Sequence, residues 1–174
     1  RIRVDNHKSG HPKGHFYGAS GGGFTGKWKG QKGSFLEGGI RVPAVISFPA
    51  KLPQGETRDQ VVTSMDWLPT VMELCGIDGK KDDPKLDGHS LLPLIRSEKA
   101  ESGYGDVLHF QWHTQWAVRK GEWKLIGRGT KASFLGNLND EQPERKNYAK
   151  EKPELVARLL EMHQKWAAEV KPAK

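Results

Sequence analysis

Chemistry in this sequence is concentrated in a few short runs. The densest is Gly30-Gln-Lys-Gly-Ser-Phe-Leu-Glu-Gly-Gly-Ile-Arg-Val-Pro43. Glycine tolerates positive φ and close backbone approach, so a glycine-dense run holding one lysine can close into a tight loop around an anion. Lys32 is the cation of that loop. Arg41 is either a second anion ligand or the partner of Glu37 in a structural ion pair. Near the start, Asp5-Asn6 places a carboxylate beside an amide carbonyl, which are hard oxygen donors suited to calcium or magnesium. The same two residue types also favour turns.

Histidines form two further groups. His7, His11 and His15 recur every fourth residue, but Gly10, Pro12 and Gly14 interrupt any helix that would align them on one face. They read as loop histidines, facing solvent or substrate. His109 and His113 flank an apolar run, and imidazole can move a proton near neutral pH. Each reads equally well as a half-exposed structural residue. The single cysteine, Cys75, closes an apolar helix and reads as a buried, inert thiol.

These residues need elements to position them. Ile40 to Phe48 is apolar and rich in β-branched residues, which predicts a buried strand leaving the glycine loop. Val61-Val62 predicts a second, short one. Ser64 or Asp66 is placed to cap a helix with Pro69 in its first turn, Leu68, Val71, Met72 and Cys75 on one face, and Gly76 at its end. Leu91 to Ile95 reads as a short helix. Asp106–Trp112 and Gln115–Arg119, then Glu122–Ile126 after Lys120-Gly121, alternate as strands, the last two forming a β-hairpin. Phe134 to Leu138 adds a further strand. Pro153 opens a final helix whose stripe of Leu155, Leu159, Met162 and Trp166 packs on the sheet.

Composition narrows the classes. The chain has 174 residues, 35% hydrophobic and 28% charged, with a formal charge of +7. No apolar run approaches the roughly 18 residues of a membrane span. Residues 1–34 hold seven of the basic side chains and only one acid, Asp5. An anionic partner is therefore expected there: sulfate ester, phosphate or nucleic acid. Phe24-Thr-Gly-Lys-Trp-Lys-Gly30 interleaves lysines with aromatics, a pattern that stacks on bases or sugars.

Five runs together resemble the type I sulfatases of the alkaline-phosphatase-like superfamily. They are Lys32-Gly-Ser-Phe-Leu-Glu-Gly-Gly-Ile-Arg-Val-Pro43, the Thr63–Gly76 run, Leu86-Asp-Gly-His-Ser-Leu-Leu-Pro93, Trp116-Ala-Val-Arg-Lys-Gly-Glu-Trp-Lys-Leu-Ile126 and the Phe134–Glu144 run. They stand in the family's order across most of the chain, and match its C-terminal portion. The resemblance implies an α/β parent fold with a large central sheet. Residues 1–100 would be the end of the catalytic domain. Residues 101–174 would be a small antiparallel-sheet subdomain with a closing helix, α+β within this chain.

The resemblance also implies a function, sulfuric ester hydrolysis. Lys32 aligns with the lysine that holds a sulfate oxygen, and Asp5-Asn6 with the calcium or magnesium ligands. His7 stands where the family has glycine, so an equivalent pair before residue 1 is the alternative. A histidine in the late region contacts substrate in the family, which makes His109 and His113 candidates. The family's nucleophile, a formylglycine made in a C-x-P-x-R run, has no counterpart in these residues. The nucleophile is expected in a missing N-terminal part, and the chain alone is expected to be inactive. The implied partner is a sulfate ester, weakly favouring a sulfated sugar, with no membrane and little case for nucleic acid. Members are often secreted or periplasmic. A phosphatase or phosphonate hydrolase of the superfamily is a near neighbour. The alternative from another class is a non-catalytic binding module for sulfated glycans or nucleic acid, acting through the basic N-terminal loop.

Overall fold

The computed structural model describes residues 25–77 and 86–170. The chain divides into two compact units. One joins the segment ending at Pro43 to the residues from Val107 onward, and the other is Ala44–Asp106.

The first unit is built on a four-stranded antiparallel meander: β1 (Val107–Trp112), β2 (Gln115–Lys120), β3 (Trp123–Arg128) and β4 (Lys131–Asn137). The hairpin expected at Lys120-Gly121 is present, with Lys120 paired to Trp123. All three connections are two residues long, and each begins with a residue at positive φ: His113 at 52°, Gly121 at 56° and Gly129 at 55°. Positive φ there matches the turn to the right-handed twist of the strands.

Alternation gives the sheet two different faces. Cross-strand partners Val118, Leu125 and Leu135 lie on one face with Trp116. The last helix of the chain, Pro153–Glu169, covers that face and contributes Leu159 to the core, with Leu155, Val156, Leu160 and Met162 around it. Pro153 sits in its first turn, as expected, where a missing N–H leaves no bond unmade. Each fully buried leucine of this core contributes about 1.5–3 kcal/mol by removal from water. The opposite face carries Phe110, Arg119, Lys124, Phe134 and Gly136. Against it lies the glycine-rich segment, ending in the one-turn helix α1 (Glu37–Ile40); Phe35, for example, packs on Phe110 at 6.3 Å between ring centroids.

The second unit holds α2 (Trp67–Cys75), preceded by a single 3-10 turn at Ser64–Asp66, and α3 (Leu92–Arg96). The closing helix of the first unit is α4 in chain order. Thr63 caps the 3-10 turn, while Asp66 reaches back to the Thr63 amide at 2.6 Å. Asp66 also accepts from the His89 amide at 2.9 Å and the Tyr104 hydroxyl at 2.5 Å. Its carboxylate is thus a buried hub tying three segments together rather than the cap of α2. Burial, reinforced by the Asp66 carboxylate, pushes the Tyr104 hydroxyl up to about 12. Gly88 fits under Asp66's turn because an added Cβ would stand 2.1 Å from the Met65 carbonyl oxygen.

Three expectations fail here. Ile40 to Phe48 is no buried strand: Ile40 ends α1, the residues after it pair with no strand, and Val42 and Val45 are 80% and 86% exposed. β propensity reports a side chain's fitness for a pleated surface, and no described neighbour offers that surface. Val61-Val62 likewise forms no strand. The apolar face of α2 points outward, with Leu68 56% exposed and Cys75 an exposed thiol, while Thr70 is the buried side chain. Thr70 donates to the Asp66 carbonyl at 2.6 Å and accepts from the Leu91 amide at 2.8 Å, so polar anchoring sets the helix's rotation.

Candidate functional site

The glycine loop is held closed by its own backbone. Gly30 and Gly33 take φ of 103° and 89°, conformations that side chains resist. The Ser34 hydroxyl donates to the Gln31 carbonyl at 2.9 Å, pinching the turn that bears Lys32. The Gly38 amide donates to the Lys29 carbonyl at 2.8 Å, bringing the two arms of the loop together. Cβ atoms at Gly38 and Gly39 would fall 2.8 Å and 2.4 Å from backbone carbonyl oxygens of the facing arm. Close approach is the reason for the paired glycines.

Beneath the loop lies a buried charge cluster. Glu37, the first residue of α1, is 1% exposed, and Lys124 of β3 and Glu144 are both 0% exposed. The Lys124 ammonium donates to Glu37 Oε1 at 2.7 Å and stands 2.9 Å from Glu144 Oε1. The second contact is an ion pair without hydrogen-bond alignment. Glu144 Oε2 accepts from the Glu37 backbone amide at 2.7 Å. Arg41 pairs with Glu37 Oε2, and its guanidinium lies 3.9 Å above the centre of the Trp28 ring. Of the two roles open to Arg41 in the sequence, the structure displays the ion pair. Lys29 adds a bond to the Glu144 carbonyl at 3.1 Å and lies over the Phe134 ring.

The two carboxylates face Lys124 and Arg41 directly, with Lys29 and Arg119 close by, so neither buried carboxylate lacks a compensating cation. Burial by itself would raise the Glu37 carboxyl, but the Lys124 ammonium and the Arg41 guanidinium outweigh it and hold Glu37 below the ordinary carboxylate value. Glu144 adopts a φ of 58°, an unfavourable conformation for a side-chain residue that the surrounding bonds enforce. Gly136 leaves space for it, since a Cβ there would come within 3.2 Å of Glu144 Cγ.

Lys32 differs from every cation in that cluster. It is exposed at the loop tip, and no hydrogen bond or ion pair joins it to another described residue. A lysine so placed presents its full charge outward.

The two candidate histidines lie elsewhere. His109 of β1 is on the α4 face, stacked on Trp166 at 4.9 Å with its plane within 5°. Beside it, His163 of α4 stacks on Trp116 at 4.4 Å. The Nδ1 atoms of both histidines are buried without a hydrogen-bond partner. Burial, with the neighbouring His163 adding to it, pushes His109 down to about 4, and burial lowers His163 also. His113 is exposed at the β1–β2 turn, edge-on to Trp112. Lys32 and His109 thus belong to opposite faces of the sheet. Asp5, Asn6, His7, His11 and His15 lie outside the described residues. Among the described residues no group of three or more His, Cys, Asp or Glu could hold a metal ion.

Lys124 and Glu144 went unremarked in the sequence. The signal was available: a lysine between Trp123 and Leu125 of a strand sits on the second face of the sheet, and that face must meet something if the glycine loop packs there.

Comparison with known proteins places this geometry. The family model described as N-sulphoglucosamine sulphohydrolase, C-terminal, matches residues 28–167, from Trp28 under the loop to the last turns of α4. The chain belongs to the sulfatase family. Human arylsulfatase D is 38% identical over 101 residues, covering 53% of this chain and 17% of that protein. An uncharacterized sulfatase of Schizosaccharomyces pombe is 31% identical over 142 residues, covering 75% of this chain and 25% of its own length. The crystal structure of Ps i-CgsB in complex with k-i-k-neocarrahexaose aligns with a TM-score of 0.65 and 25% identity, over 80% of this chain and 31% of that one. This sulfatase chain therefore spans a quarter or less of those two relatives and about a third of the solved structure. The four-stranded antiparallel sheet with its packed closing helix is the architecture expected from the sulfatase resemblance.

Proposed function

We propose that this chain supplies the anion-binding lysine loop of a sulfuric ester hydrolase, with Lys32 donating to a sulfate oxygen of the substrate. The observation that carries this reading is the contrast within the loop: Lys29, Arg41 and Lys124 are spent on structure, while Lys32 is presented outward on a tightly closed turn. An ammonium carried on a turn held in that way can stabilise charge gathering on the transferring group. Asp5 and Asn6 would hold calcium or magnesium, which supplies Lewis-acid polarisation of the sulfate. The formylglycine nucleophile would come from the part of its relatives' length that this chain does not span, so the 174 residues alone turn over no ester.

The substrate class we favour is a sulfated sugar. Support comes from the names of two matches, a sulphoglucosamine sulphohydrolase and a protein solved with a neocarrahexaose. Of the two histidines, exposed His113 is the better placed to touch such a substrate.

Calorimetric titration with sodium sulfate tests the reading. Binding should be lost, by about tenfold or more, in Lys32→Ala, since a charge-assisted hydrogen bond contributes about 1.5–3 kcal/mol. It should strengthen with calcium. Affinity that is unmoved by Lys32→Ala and by calcium, yet collapses steeply with salt, would favour the binding module instead.

A further inference from the structure

We infer that Lys124 is a positioning residue for Lys32: anchored in β3, it holds the glycine loop through Glu37 and so fixes where the sulfate-binding ammonium stands. This rests on the anion-binding role proposed for Lys32.

The path is short and buried throughout. Lys124 is rooted near the start of β3, paired on both sides, with Arg119 and Gly136 as its cross-strand partners. Its ammonium meets Glu37 Oε1 at 2.7 Å. Glu37 carries the loop's return arm, and its amide is bonded to Glu144, which the same ammonium also holds. One turn earlier, Lys29 ties the outgoing arm to the Glu144 carbonyl. Both arms of the loop therefore meet at Glu144, the outgoing arm at its backbone carbonyl and the return arm at its carboxylate, which Lys124 holds together with Glu37. Only residues 30–36 remain above that base, and the Gln31–Ser34 pinch fixes them. Without Lys124, the two buried carboxylates would keep Arg41, with Arg119 nearby, but lose the ammonium that bridges them. The base of the loop would part or take in water.

Such a role differs from general stabilisation because it predicts a local effect. Removing the link on the loop side, with Glu37→Gln, keeps the Lys124–Glu144 pair and spares the sheet. Hydrogen exchange of the full chain should show faster exchange at the amides of residues 34–41 in Glu37→Gln and Lys124→Met. The amides of β2 and β3 should keep their protection in Glu37→Gln. Sulfate affinity by calorimetry should fall about tenfold in both, as loss of a few tenths of an ångström of positioning would give. Lys32→Ala should lose sulfate with loop exchange unchanged. Lys124→Met, if it fails to fold, leaves Glu37→Gln to decide.

Loop exchange in Glu37→Gln equal to the parent's, or faster exchange spread evenly over the sheet, would overturn the inference. So would a loosened loop with sulfate affinity intact. A parent chain that binds no sulfate would sink the role of Lys32 and this positioning with it, while selective loosening of the loop would still report a clamp and separate the two failures.

Discussion

At the scale of residues, the function proposed here turns on how one loop distributes its charges. Arg41 and Lys124 are committed to buried carboxylates, Lys29 to the Glu144 carbonyl and the Phe134 ring, and Lys32 to none of these. The commitment is energetically strong in one direction. Breaking a buried ion pair by deleting one partner typically costs about 3–5 kcal/mol, because the other charge stays buried. Lys124→Met should therefore lower the unfolding free energy by that order, while Lys32→Ala, at an exposed tip, should change it by less than about 0.5 kcal/mol. Urea unfolding of the two variants checks the contrast; equal losses would mean that Lys32 also holds structure. Sequence alone brought Arg41 and Glu37 together, four positions apart on one run. It did not reveal Lys124, because a partner 87 positions away leaves no local mark.

At the scale of elements, the meander and α4 were legible and the apolar run after the loop was not. Strand alternation and turn chemistry are local: Trp116 and Val118 against Trp123 and Leu125, broken at Lys120-Gly121, predict a hairpin whatever surrounds it. The Ile40–Phe48 run needed a neighbouring strand to become one, and propensity cannot report on neighbours. The aromatic stack between β1 and α4 was also hidden, since His109 and His163 are 54 residues apart, and it carries a pH dependence. Both imidazoles have folded-state values below the ordinary 6.5, His109 near 4. A depressed value means the neutral ring is favoured in the fold, so its contribution is complete above about pH 6.5 and is lost as pH falls toward 4. Glu37, also depressed, adds a loss beginning below its ordinary value of 4.5. Stability followed by thermal unfolding should hold from pH 8 to about 6.5 and then decline. His163→Phe, which keeps the stack without a charge to bury, should flatten the upper part of that decline; an unchanged slope would place the titration elsewhere.

At the scale of the whole molecule, the chain belongs to the sulfatase family, whose C-terminal model matches residues 28–167, and its described residues hold no metal cluster. The family and its domain were legible because five separated motifs kept their order; no single one would have sufficed. The metal pair stays an expectation, resting on Asp5 and Asn6. Among the described residues no helix is long and apolar enough to cross a membrane. The 174 residues by themselves should release no product from an aryl sulfate, and release that disappears in Lys32→Ala would show a complete active site within them.

The most direct test of the central claim is a sulfate titration of the isotope-labelled chain followed by NMR. If Lys32 holds the anion, amide shifts should saturate and concentrate at Gln31, Lys32, Gly33 and Ser34, and vanish in Lys32→Ala. Shifts spread over the surface lysines without saturation, or a saturating site that survives Lys32→Ala, would contradict it.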